Sequence, residues 1–92
     1  MIRSFRCKYT RALFEGHCVR AWLPIRRAAE RKLQMLDSAQ TLAFLRSPPG
    51  NRLEALAGDR KGQHSLRIND QWRLCFIWTD SGPQSVEIVD YH

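Results

Sequence analysis

The sequence predicts an α+β domain, with helices in its first half and an antiparallel meander in its second. Three observations carry that reading. Apolar residues recur at helical spacing between residues 23 and 37. The run Ser47-Pro48-Pro49-Gly50-Asn51 then interrupts regular structure. Beyond it the apolar period drops to two, the spacing of strands that bury one face. Helices followed by strands in this way pack as helices on one face of a sheet.

Taken in order, residues 1–7 are expected to form a first strand anchored by Ile2 and Phe5. A short helix is expected around 10–14. The main helix spans about 23–37. Ile25, Ala28, Ala29, Lys32, Leu33 and Leu36 line one side, and Arg26, Arg27, Glu30, Arg31 and Gln34 fill the other. Pro24 suits its first turn, where a missing N–H leaves no bond unmade. A second short helix is expected over 40–46. Leu53 and Leu56 suggest a short strand before the turn Gly58-Asp59-Arg60-Lys61-Gly62. His64, Leu66 and Ile68 then alternate with Ser65, Arg67 and Asn69. After a turn at Asn69-Asp70-Gln71, Trp72, Leu74, Phe76 and Trp78 share one strand face, with Arg73, Cys75 and Ile77 on the other. Thr79-Asp80-Ser81-Gly82-Pro83 turns the chain again. A last strand begins near Val86 and runs into Asp90-Tyr91-His92.

Composition narrows the function. The 92 residues are expected to form one domain, 1–92, with 43% hydrophobic content, enough for a core. Fifteen Lys+Arg against nine Asp+Glu leave a net charge of +6, which points to an anionic partner. No apolar run approaches the roughly 18 residues of a membrane span. Met1-Ile2-Arg3-Ser4-Phe5-Arg6 lacks a signal-peptide centre, so a cytoplasmic protein is expected. Cys7, Cys18 and Cys75 are odd in number and lack metal-ligand spacing, so neither a disulfide framework nor a metal site is expected. Cys75 lies in an apolar run and reads as a core residue. Gly58-x-x-x-Gly62 lacks the Lys-Ser/Thr of a nucleotide loop, and no cofactor is implied.

The basic residues form two groups. Arg26, Arg27 and Arg31 mark the outer side of the long helix, a solvated face or a contact for phosphates or an acidic protein partner. Arg52, Arg60, Lys61, Arg67 and Arg73 lie in the sheet half, with Arg67 and Arg73 inside strands. Adjacent strands of a meander can bring these two onto one open face. There they would serve either as a planar phosphate clamp or as partners of Glu87 or Asp90 in cross-strand ion pairs. Asp90 and His92, two apart, share a strand face and could share a proton-transfer site. Tyr91 offers a ring on which an unpaired base could stack. His64, on the side of Leu66 and Ile68, reads as a partly buried, hydrogen-bonded histidine.

At the level of whole segments the chain resembles the HigB toxins, or plasmid maintenance system killer proteins, of the RelE/ParE superfamily. The likeness runs through Met1-Ile2-Arg3-Ser4-Phe5, Ala29-Glu30-Arg31-Lys32-Leu33 and Met35-Leu36-Asp37. It continues through Ser47–Glu54, Gly58-Asp59-Arg60-Lys61-Gly62, Asn69-Asp70-Gln71-Trp72-Arg73-Leu74-Cys75-Phe76 and Val89-Asp90-Tyr91-His92. It implies a RelE-like fold, with N-terminal helices packed on a curved, mainly antiparallel sheet. It implies a type II toxin: a metal-independent endoribonuclease that cuts mRNA in the ribosome and arrests growth. It also implies a HigA/GraA-type helix-turn-helix antitoxin as partner, through which alone DNA would be bound. By the resemblance, Asp90 and His92 take acid/base roles, Tyr91 meets the substrate nucleotide, and Arg73 stabilises phosphate charge. Arg52, Arg60, Lys61, His64 and Arg67 are the further candidates for RNA contact. Two positions depart from the family pattern: Glu54 and Ala57 stand where a histidine and a lysine are expected. Glu54 could act as a substitute base, but is read as a surface carboxylate. The alternative function is a non-catalytic basic module that blocks the ribosome or another target such as gyrase.

Overall fold

The computed structural model describes residues 1–90; Tyr91 and His92 lie outside the described residues. Helix α1 spans Lys8–Phe14 and helix α2 spans Arg26–Ser38. Strands β1 (Glu54–Ala55), β2 (His64–Arg67), β3 (Trp72–Thr79) and β4 (Gly82–Asp90) form an antiparallel sheet in the order β1-β2-β3-β4. The expected α+β architecture is therefore present.

The core forms where the apolar side of α2 meets the sheet. Ala29, Leu33 and Leu36 are buried against Leu66, Leu74, Phe76, Val86 and Ile88. Burying each such side chain is worth about 1.5–3 kcal/mol relative to leaving it in water. Helix α1 is tied to the last strand by a buried hydrogen bond: the Ile88 amide donates to Thr10 Oγ1 at 3.0 Å. Trp22 packs edge-on to Trp72, closing the core at the other end. Among the described residues, no helix is long and apolar enough to cross a membrane.

Several elements differ from expectation. The long helix begins at Arg26, because 20–25 forms a tighter 3₁₀ turn with Pro24 inside it. Pro24 thus precedes the α-helix and does not occupy its first turn. The second short helix is also 3₁₀, over Ala43–Arg46. Residues 1–7 form no regular strand. They run extended beside β4, with one parallel bridge between Phe5 and Val86. The bonds Arg3 N–H to Pro83 O (2.7 Å), Arg6 N–H to Val86 O (3.0 Å) and Val86 N–H to Ser4 O (3.1 Å) hold them there.

Strand β4 starts earlier than the apolar pattern suggests, at Gly82, because a bulge interrupts its alternation. Cys75 pairs with Glu87, but Ile77 pairs with Gln84, so β4 carries one extra residue. Ser85 takes a left-handed φ of 54° inside it. Before the bulge the strand is covered: Gly82 has φ +124°, and a Cβ there would lie 2.3 Å from the Met1 carbonyl oxygen.

Candidate active site

Strand register decides which side chains meet. Arg67 on β2 pairs directly with Arg73 on β3, which in turn pairs with Val89 on β4. Glu54, Ser65, Cys75 and Glu87 form the neighbouring cross-strand row. Leu66, Leu74 and Ile88 alternate with these and face the helices. The two rows therefore lie on the open side of the sheet. Arg67 and Arg73 share a face, as the alternation predicted.

Arg73 is the most organised cation on this face, with 7% of its surface exposed. Its Nε donates to Ser65 Oγ at 3.1 Å, and its Nη2 donates to the same oxygen at 2.8 Å. Nη2 also donates to the Arg52 carbonyl at 3.0 Å and lies 3.3 Å from Glu54 Oε1. Such fixed donors suit a guanidinium to a planar oxyanion. Arg67, in direct register with Arg73, pairs with Asp70 instead. The ion-pair partners expected for Arg73 were Glu87 or Asp90. Glu87 instead bridges Arg6 at 3.3 Å and Arg60 at 3.0 Å, while Glu54 meets Arg73. Glu54 is thus more than a surface carboxylate, although its side chain is 48% exposed.

The Arg52 carbonyl is aimed by an unusual piece of backbone. Asn51 is fully buried, and its Nδ2 donates to the Leu45 carbonyl at 3.1 Å and to the Ser47 carbonyl at 3.3 Å. Its Oδ1 accepts from Lys32 Nζ on α2. Burial, with Arg31 and Arg67 adding repulsion, holds the Lys32 ammonium below its ordinary pKa. Arg52 follows in a left-handed conformation with φ 44°, its side chain in solvent and its carbonyl on Arg73.

The remaining candidates spread around this centre. Lys61 is exposed, and Arg60 is half-buried, bonded to Gln63 as well as Glu87. His64 pairs with Phe76 and stacks on its ring at 6.2 Å, in the row facing the helices. Contrary to the expectation of a hydrogen-bonded histidine, its buried Nδ1 has no partner among the described residues. Asp90 is exposed at the end of β4, paired with Trp72, and its Oδ2 accepts from Gln71 Nε2 at 3.1 Å. Alternation therefore sets Asp90 and Arg73 in rows on opposite sides of the sheet. Tyr91 and His92 lie outside the described residues, as does the expected pairing of His92 with Asp90. Among the described residues, no three His, Cys, Asp or Glu side chains gather as a metal site.

Three groups on Arg73 escaped sequence reasoning. Ser65 was legible, since it alternates onto the side of Arg67. The Arg52 carbonyl carries no side-chain signal. Glu54 stands out in the sequence only as a departure from the family pattern, and nothing there marks it as a neighbour of Arg73.

Helices packed on a four-stranded antiparallel sheet are the build of a RelE-like protein. The crystal structure of YafQ from E. coli strain BL21(DE3) superposes with a TM-score of 0.63 over 98% of this chain and 91% of that one, at 13% identity, a likeness of fold alone. A profile for the RelE-like toxin of the type II toxin–antitoxin system HigB matches residues 3–92, so the chain belongs to the HigB-like toxin family. Toxin HigB-1 of Vibrio cholerae serotype O1 is 43% identical over 82 residues, 87% of this chain and 86% of that protein. Endoribonuclease HigB of Proteus vulgaris is 32% identical over 95 residues, the full length of both. Membership in a toxin–antitoxin family brings with it an antitoxin partner.

Proposed function

We propose that this chain, acting as one unit over 1–92, is an endoribonuclease that cuts mRNA on the cytoplasmic ribosome and so arrests growth. The observation that carries the reading is Arg73, nearly buried on the open face with its guanidinium fixed by Ser65 and the Arg52 carbonyl. A pre-set guanidinium meets charge developing on a phosphate without having to reorganise, which is the main electrostatic means of lowering such a barrier. The name of the Proteus vulgaris relative supports the same chemistry.

In this mechanism the RNA 2′-OH attacks the adjacent phosphate and the 5′-oxygen leaves. One of Asp90 and His92 removes the 2′ proton and the other protonates the leaving oxygen, help worth about 10²–10⁴-fold. Because Asp90 lies in the row opposite Arg73, at the exposed end of β4, the RNA must pass around that strand end for both to reach one phosphate. Arg73 stabilises the charged phosphorane. Tyr91 stacks on the substrate base. Arg52, Arg60, Lys61 and Arg67 hold the flanking RNA backbone, with His64 at the margin. The steps run on proton transfers and call for no metal. The ribosome supplies the in-line alignment, a contribution of proximity and orientation. A HigA/GraA-type antitoxin restrains the toxin and supplies DNA binding.

The test is primer extension on a reporter mRNA during induced expression. Discrete new 5′ ends are expected with the wild type and none with Arg73→Ala or with Tyr91 and His92 deleted. Growth arrest with intact mRNA would replace the nuclease by a ribosome- or gyrase-blocking module. Full cleavage by both variants would overturn the assigned residues.

A further inference from the structure

We propose that Glu54 is a built-in attenuator that competes with the substrate phosphate for Arg73. This rests on the reading of Arg73 as the phosphate-stabilising group and goes beyond it. The register of β1 on β2 sets Glu54 opposite Ser65, the residue whose hydroxyl anchors Arg73. Glu54 therefore shares the open face, and its Oε1 comes within 3.3 Å of Arg73 Nη2.

The asymmetry of exposure gives this contact its meaning. The Arg73 side chain is 8% exposed, while that of Glu54 is 48% exposed. Ser65 and the Arg52 carbonyl hold the guanidinium, and the carboxylate that meets it is the more exposed partner. An RNA phosphate approaching Arg73 meets a carboxylate already on one of its donor nitrogens. Binding must displace that anion or accept its repulsion. Through one oxygen on Nη2 the carboxylate, an anion like the phosphate, competes for the charge of the same guanidinium. Nearby, Glu87 is engaged by Arg6 and Arg60 and so is directed away from Arg73. Strand β1 holds only two residues at the edge of the sheet, so few ladder bonds fix Glu54 in place. The contact thus weakens the site without closing it.

The experiment compares wild type, Glu54→Gln, Arg73→Ala and the double variant on programmed ribosomes carrying a reporter mRNA. Glu54→Gln should raise kcat/KM by about fivefold, the upper end for a half-exposed ion pair. The gain should come mainly through KM, because the released cation binds RNA before chemistry. It should shrink as salt is raised, since screening weakens a charge effect. In the Arg73→Ala background, where cleavage is absent, the gain is read as binding to the programmed ribosomes, and Glu54→Gln should no longer tighten it. A Glu54→Gln rate equal to or below wild type, with Arg73→Ala inactive, would show that Glu54 orients Arg73 and would overturn the proposal. A gain that persists without Arg73 would overturn it too. Full activity in Arg73→Ala alone would sink the underlying reading of Arg73, a different failure. Thermal unfolding of each variant confirms that rates are compared between folded proteins.

Discussion

Replacing Asn51 by alanine should remove the clamp that shapes the loop under Arg73. The side chain is fully buried and donates to two carbonyls, of Leu45 and Ser47, at 3.1 and 3.3 Å. It also accepts from Lys32. Alanine leaves both carbonyls without this donor and Lys32 without this acceptor. A net loss of about 1 kcal/mol for each hydrogen bond gives about 3 kcal/mol in all. That is a large share of the roughly 5–15 kcal/mol that holds a small domain folded. For a chain of this size it corresponds to a fall in Tm of about 12–24 °C. Thermal unfolding by circular dichroism reads the effect. Asn51→Asp should also be destabilised, because a carboxylate keeps the lysine contact but cannot donate to the carbonyls. A fall in Tm of less than about 4 °C for Asn51→Ala would refute the clamp.

Three further outcomes are expected. Gly82→Ala places a methyl group 2.3 Å from the Met1 carbonyl oxygen at φ +124°, so the segment over β4 must move. A loss of at least about 2 kcal/mol should appear as a lower urea midpoint, and an unchanged midpoint would refute it. Cys18 is exposed and should react with iodoacetamide in the native protein, whereas buried Cys75 should react only on unfolding. Burial chiefly raises the Cys75 pKa above its ordinary 9.0, with Glu87 adding to the rise against Arg60 and Arg73. The folded state thus holds this proton longer than the unfolded one. The stabilisation is complete below pH 9.0 and is lost as pH climbs through the raised value. Cys75→Ala should flatten that alkaline decline; an identical decline would count against it.

Much of the site was legible because strand alternation is a strict rule. Placing Arg67 and Arg73 on neighbouring strands was enough to predict a shared face, and the register sets them directly opposite. The helix-facing side was equally plain in Leu66, Leu74 and Phe76. What failed was partner choice. Glu87 and Asp90 were the nearest candidates by strand, yet Arg73 meets Glu54, supplied by a two-residue strand across the sheet. A pair of alternating residues is too little pattern to place such a strand. The start of β4 was hidden by a bulge, which breaks the period that reveals strands. His64 shows the remaining gap: alternation gave its face, but not that its Nδ1 lacks a partner among the described residues.

The extended segment along β4 bears on the order in which the molecule assembles. Its contacts join residues far apart in the chain: the Ser85 amide donates to Ser4 Oγ across 81 positions. The β2–β3 and β3–β4 hairpins need only short turns to close. Closing a loop about four times longer than a twenty-residue one costs about 1.2 kcal/mol more in chain entropy, before any contact repays it. Local hairpins therefore form first, and the segment ahead of α1 docks onto a sheet edge already made. During synthesis those first residues emerge early but must wait for residues 83–86 to appear. Once β4 has formed and until that segment docks, the outer backbone of β4 has no cover, and this small protein is most open to pairing with another chain in the interval between making its last strand and sealing it.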